Sequence, residues 1–179
     1  MILKKAVQDQ KGLAAVALLV LLAAVMAVGS LTVDIAQLYT TKIAARHMLN
    51  LSLRAAAAEL DPTELKDNRI VIDEAAAANK FYEILRANLK LDVHNNPLPG
   101  SIADGPVQVC YFQVVNGDRL PFSYTFDNYS ETISRPAVTG IIKLPVKISF
   151  WGKIVSSETP DTDMYVHSTV TPELIPKHL

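Results

Sequence analysis

The sequence predicts an α+β protein: a long N-terminal transmembrane helix that extends into a small C-terminal domain built from one amphipathic helix and an antiparallel sheet. Three observations predict it. Residues 13–33 form a run of 21 positions without a charge. Residues 34–60 contain neither Pro nor Gly. After residue 107 the apolar periodicity changes to two, the spacing of strands. The chain has 179 residues, a net charge of −1 and one Cys, with a mean hydropathy of +0.21 and a pI near 6.4. This balance offers no basic footprint for nucleic acid. A single Cys excludes an intrachain disulfide framework and any Cys-rich zinc site.

The apolar run, LAAVALLVLLAAVMAVGSLTV, would be about 31 Å long as a helix, close to the thickness of a bilayer core. Lys4, Lys5 and Lys11 precede it against a single Asp9, and Asp34 is the first charge after it. The excess of Lys on one side places the first dozen residues in the cytoplasm and the remainder outside. The exported part then carries 14 Lys and Arg against 17 Asp and Glu, with no basic patch. An alternative is a secretory leader cut near Ala27-Gly29, which would release the rest as an exported binding module.

Helix-forming Ala, Leu, Lys, Arg and Gln dominate residues 34–60. Apolar Ile35, Leu38, Tyr39 and Ile43 recur at helical spacing, and Asp61-Pro62 ends the pattern. One helix from 13 to 60 would span about 72 Å, with Gly29-Ser30 as the place for a bend. The organisation read from the sequence is a basic leader at 1–12, a membrane helix at 13–33, its extracytoplasmic extension at 34–60 and an α+β domain at 61–179.

Gly12-Leu13-Ala14-Ala15-Val16, the stretch Val33-Asp34-Ile35-Ala36-Gln37-Leu38-Tyr39, the pair Leu49-Asn50 and the run Ala55-Ala56-Ala57-Ala58 together resemble the N-terminal module of Tad-like proteins. These are the TadE/TadG-like pilus-assembly proteins of bacterial tight-adherence (Flp) systems. The resemblance covers roughly residues 11–60. It implies a minor-pilin-like or pseudopilin-like component with Gly12 and Leu13 flanking a leader-cleavage site. It also implies contacts to lipid and to other pilus subunits through the N-terminal helix, in which Asp34, Leu38, Tyr39, Leu49, Asn50, Ala55 and Ala56 are the membrane-exit and family-matching positions. The Ala run permits close helix approach in a partner or within its own fold. Asn50 stands where the family usually has Gln, and Arg54 stands about where it has an acidic residue. Ala17 is the fifth residue after Gly12, where pilins carry Glu. By residue chemistry alone, Asp34 reads as a solvated residue at the membrane exit and Tyr39 as an interfacial anchor.

In the second half, Asp73 caps a helix from 74 to about 91, with Ala78, Phe81, Tyr82, Leu85 and Leu89 along one face. The segment 94–100, rich in Asn and Pro, ends it. Strands follow at 107–115, through Phe122, Tyr124 and Phe126, through Ile142, Leu144, Val146, Ile148 and Phe150, and at 164–170. Pro145 argues for an edge position or a bulge. Residues 127–136 and 156–163 read as exposed loops.

The residue types needed for chemistry are scattered. His47, His94, His167 and His178 lack spaced partners for a metal. Cys110 sits among apolar neighbours and reads as a small hydrophobe. Asp161-Thr162-Asp163 resembles part of a calcium loop but lacks its Gly and terminal Glu, so it reads as a solvated turn. No phosphate-binding or nucleophile-elbow motif occurs. The expectation is a component without enzymatic activity or cofactor, acting through helix packing. A membrane-tethered enzyme with a dispersed site is the remaining rival.

Overall fold

Good helix formers carry helix α1 from Ile2 through Ala57 without interruption. The computed structural model describes residues 2–67, 69–147 and 161–173. Gly29 and Ser30 both remain helical; Ser30 Oγ donates to the Ala27 carbonyl at 2.8 Å, and Thr32 Oγ1 to that of Val28 at 3.0 Å. Residues 14–57 include a window of 18 with mean hydropathy 2.6, so one helix is long and apolar enough to cross a membrane. The chain divides into two compact units inside this helix, between Tyr39 and Thr40.

Asp61-Pro62 ends one helix and starts another. Asp61 accepts the Thr63 amide at 2.8 Å and caps a short α2, Pro62–Lys66, with Pro at its opening turn. That helix has no apolar periodicity and was not expected. Helix α3, Glu74–Leu89, starts as read: Asp73 Oδ1 accepts the amides of Ala75 and Ala76 at 3.0 Å each. It stops at Lys90, which adopts a left-handed conformation at φ 53°.

Strands β1 (Gln108–Val115), β4 (Ala137–Lys147) and β5 (Asp161–Val170) form an antiparallel sheet in the order β1-β4-β5. Strands β2 (Phe122–Phe126) and β3 (Tyr129–Ile133) form a separate hairpin. The hairpin corrects the expectation of a loop over 127–136. Residues 129–133 are strand, whereas Asp127-Asn128 turns, with Asp127 at φ 51°, a conformation Asp and Asn tolerate, and 134–136 connect β3 to β4 as a loop. The strand was hidden because its inward residues, Tyr129, Glu131 and Ile133, include a charge. Asp161-Thr162-Asp163 is likewise strand and not a turn: it pairs with Lys147, Val146 and Pro145, and Asp163 lies 3.1 Å from Lys143 Nζ. Residues 148–160, which include Ile148, Phe150 and most of the second expected loop, lie outside the described residues.

β4 is covered on both faces, which explains its nearly continuous apolar run. Gly140 lies opposite Phe112 on β1 and Ser168 on β5, so these three share a face. Phe81 of α3 stacks on Phe112 at 4.5 Å, and Asn50 of α1 donates to Ser168 Oγ at 3.2 Å. The buried stripe of α1 is Ala45, Leu49, Ser52, Leu53, Ala56 and Ala57, spaced three and four apart as one helix face requires. A Cβ at Gly140 would lie 3.2 Å from Leu53 Cδ2 and 3.7 Å from Leu49 Cδ1. The absence of a side chain there lets the helix seat on the strand.

On the opposite face, Ala137 and Ile141 meet the hairpin through Tyr124 and Ile133, with Val115 of β1. Tyr111 and Tyr124 stack there at 4.8 Å. Cys110 is the extra residue of a bulge between Val109 and Tyr111. Pro145 occupies the end of β4 that β1 does not reach, since their pairing stops at Lys143. Its carbonyl accepts the Asp104 amide at 2.9 Å. Locally it therefore sits at an edge, as a residue without an N–H must.

Candidate functional site

Two regions carry functional character, and each is described separately. The first is the apolar surface of α1. From Val16 to Val33 its large apolar side chains stand at least half exposed, including the consecutive residues Leu18, Leu19, Val20, Leu21 and Leu22 at 55–67%. Five consecutive residues reach round the full circumference of a helix, so every face is exposed between Leu18 and Leu22; nearer Asp34 one face is closed, where Ala27 is half-buried and Ser30 buried. A helix apolar all round needs lipid or other apolar helices around it.

The positions singled out by the family resemblance separate along this helix. Gly12 and Leu13 lie within it, and Gly12 is exposed. Leu38 is half-buried and Tyr39 is 66% exposed. Asp34 is not solvated, as its chemistry suggested, but buried at 3% exposure, and Ser30 one turn before it is 8% exposed. Leu49 and Ala56 are fully buried against their own unit, Ala55 is half-buried, and Asn50 bonds Ser168. The Ala-rich run thus packs within the chain.

The second region was not found by sequence reasoning. The Glu131 carboxylate gathers three donors on its Oε2: Thr169 Oγ1 at 2.6 Å, Tyr124 Oη at 2.9 Å and His167 Nε2 at 3.2 Å. Thr139 Oγ1 lies 2.8 Å from both Tyr124 Oη and Thr169 Oγ1. With the Tyr124 and Thr169 protons committed to the carboxylate, Thr139 is the donor left for one of these oxygens. The cluster joins β2, β3, β4 and β5. Residues so far apart share no local motif; the only trace is the two-residue spacing of Tyr129, Glu131 and Ile133 and of His167 and Thr169.

Burial raises the Tyr124 phenol to about 12, which keeps it a donor. Burial also opposes ionisation of Glu131, but hydrogen bonds from Thr169, Tyr124 and His167 outweigh it and hold the carboxyl below its usual range. Burial lowers His167; Glu131 works against this and Arg46 adds to it. The imidazole is therefore neutral at pH 7 and its Nε2–H donates to Glu131. Chemically, the arrangement keeps an ionised carboxylate pinned between the hairpin and the sheet.

Beside this cluster opens a cleft of about 430 Å³. Lys42 and Arg46 of α1, the turn residues Asp127 and Asn128, and the rings of Phe126, Tyr129, Tyr165 and His167 line it. The Tyr129 and His167 rings lie 3.9 Å apart, and Phe126 and Tyr165 6.2 Å apart. Among the described residues no group of three His, Cys, Asp or Glu is placed to hold a metal ion. Burial raises the Cys110 thiol, which makes it a poor nucleophile at neutral pH. No family model matches the chain, and no curated protein or solved structure shows significant similarity to it.

Proposed function

We propose that the protein is a membrane-anchored structural or assembly component of a bacterial Tad/Flp-type pilus, minor-pilin-like or pseudopilin-like, that works through helix packing and not through catalysis. The observation that carries the reading is the exposed apolar circumference of α1 between Leu18 and Leu22, continued by exposed large apolar side chains as far as Val33. In water this surface would cost on the order of 25 cal/mol per Å². In lipid, or among the apolar helices of other subunits, it stays dry. Transfer from membrane to filament bundle would therefore leave its hydration unchanged. The basic residues before the run support a cytoplasmic N-terminus and an extracytoplasmic C-terminal domain in a single-pass arrangement. The residues resembling Tad-like proteins support the pilus assignment. Lipid and other pilus subunits are the partners that follow.

A second reading has an observation in its favour. The unit that carries the sheet begins at Thr40, so a cut near Ala27-Gly29 would leave it whole and release an exported binding module. Alkaline carbonate extraction separates the two. The anchored protein stays in the membrane pellet, whereas a released module appears in the soluble fraction. The filament role is tested by mechanical shearing of piliated cells. A subunit travels with the sheared fibres, and its absence from both fibres and assembly complexes would remove the pilus assignment.

A further inference from the structure

The cleft beside the Glu131 cluster has a lining that the membrane role does not use. Lys42 and Arg46 stand one helical turn apart, both exposed, and neither has an ion-pair partner among the described residues. In the same lining, Asp127 and Asn128 supply a carboxylate and an amide at a tight turn. Tyr129 is held in place by its ring contact with His167, and Tyr165, 49% exposed, presents a second ring beside Phe126. The volume suits one or two sugar rings, at the lower end of small-ligand sites.

We infer that this cleft binds a pyranose carrying one acidic group. Each part of the lining has a counterpart in such a ligand. Lys42 and Arg46 meet the acid with charge-assisted hydrogen bonds. Tyrosine faces, negative at their centres, accept the polarised C–H bonds of a sugar ring. Asp127 and Asn128 offer an acceptor and a donor for neighbouring hydroxyls. A peptide with several acidic groups would satisfy the two cations but set further carboxylates near Asp127, whereas a sugar with one acidic group presents neutral hydroxyls there, which favours the sugar acid. The inference concerns residues of the sheet-bearing unit alone and stands apart from the membrane reading.

The test is titration of the full chain, in a zwitterionic detergent free of sugar headgroups, with glucuronate, glucose, acetate and a hexaglutamate peptide. Saturation-transfer NMR and calorimetry would be the readouts. Glucuronate should bind saturably with a Kd of about 1 mM. Glucose, acetate and the peptide should bind at least about tenfold more weakly, a difference of about 1.4 kcal/mol. Lys42→Ala with Arg46→Ala should weaken glucuronate by about tenfold or more, and Tyr165→Ser should weaken glucuronate and glucose together. These positions are exposed, and an unchanged thermal midpoint confirms folding of the variants. A glucuronate trisaccharide that binds more tightly than the monomer assigns the source to a polymer, and equal binding assigns it to a free sugar acid; both support the cleft. No saturable glucuronate binding, an unaffected double variant, or equal binding of the peptide would overturn the inference.

Discussion

Gly140→Val tests the seating of α1 on the sheet. Residue 140 lies on the central strand, where a Cβ would meet Leu53 Cδ2 at 3.2 Å, Leu49 Cδ1 at 3.7 Å and the Tyr111 carbonyl at 3.6 Å. Carbon pairs pack best at about 3.5–4.0 Å, so Ala alone demands a shift of a few tenths of an ångström. Reduced freedom of the unfolded chain returns about 0.4–1 kcal/mol, which leaves Gly140→Ala near neutral. Valine adds two methyl groups at the same place. Overpacking of that size costs about 1–3 kcal/mol, and the gain in strand preference offsets at most about 1 kcal/mol. We therefore expect Gly140→Val to lose about 2 kcal/mol, a fall of roughly 6–12 °C in Tm for a unit of this size. Near-UV circular dichroism of the tyrosines, recorded on the full chain in detergent, follows the transition. Leu53→Ala should make room for the new side chain, so the double variant should be more stable than the sum of the singles by at least about 1 kcal/mol. A Gly140→Val protein as stable as the parent, or strict additivity with Leu53→Ala, would refute close packing of α1 on β4.

Glu131→Gln keeps the shape of the side chain but weakens three hydrogen bonds, and should cost about 1–3 kcal/mol by thermal unfolding. Acid should destabilise the parent in two stages, both in the same direction. Below about pH 6.5 the unfolded chain protonates His167 more readily than the folded one; below about pH 4.5 the unfolded chain protonates Glu131 while the folded carboxylate stays ionised, so its stabilisation falls until the lowered folded-state value is passed. The second stage should be smaller in Glu131→Gln, where Asp92, also held low by its bonds to Asn96, remains; chemical denaturation across pH would read it. Asn116 accepts the Ile72 amide at 2.8 Å and donates to the Ile72 carbonyl at 3.0 Å, both buried. Asn116→Ala strands both backbone groups and should cost about 2–4 kcal/mol, whereas Asp73→Ala at the exposed start of α3 should cost only about 1 kcal/mol.

The parts of the fold that show in the sequence are those set by local periodicity and capping. Asp73 marked the start of α3 because its cap is chemical and local, and the alternation of Ile142, Leu144 and Val146 marked β4. The hairpin strand β3 did not show, because Glu131 faces inward and finds its donors on β2 and β5, far away in the chain. Pairing of His167 with Glu131 depends on the β4–β5 and β2–β3 registers at once, which no spacing rule contains. The same holds for Gly140, whose role is visible only once Leu49 and Leu53 arrive above it. Asp34 illustrates the limit of reading charge alone: an acidic residue next to an apolar run reads as solvated, yet it is buried at 3% exposure. The apolar run itself was legible because 21 consecutive uncharged positions are a local feature of composition and need no distant partner to be seen.

The mass of the mature chain, taken from a native membrane fraction, tests the central claim most directly. The anchored account predicts a chain that still contains residues 13–33, beginning at Leu13 if a leader is removed after Gly12 or further upstream if it is not. A mature chain beginning at Val28 or Ser30 has lost the segment on which the anchor and the helix-packing role depend, and would contradict the account.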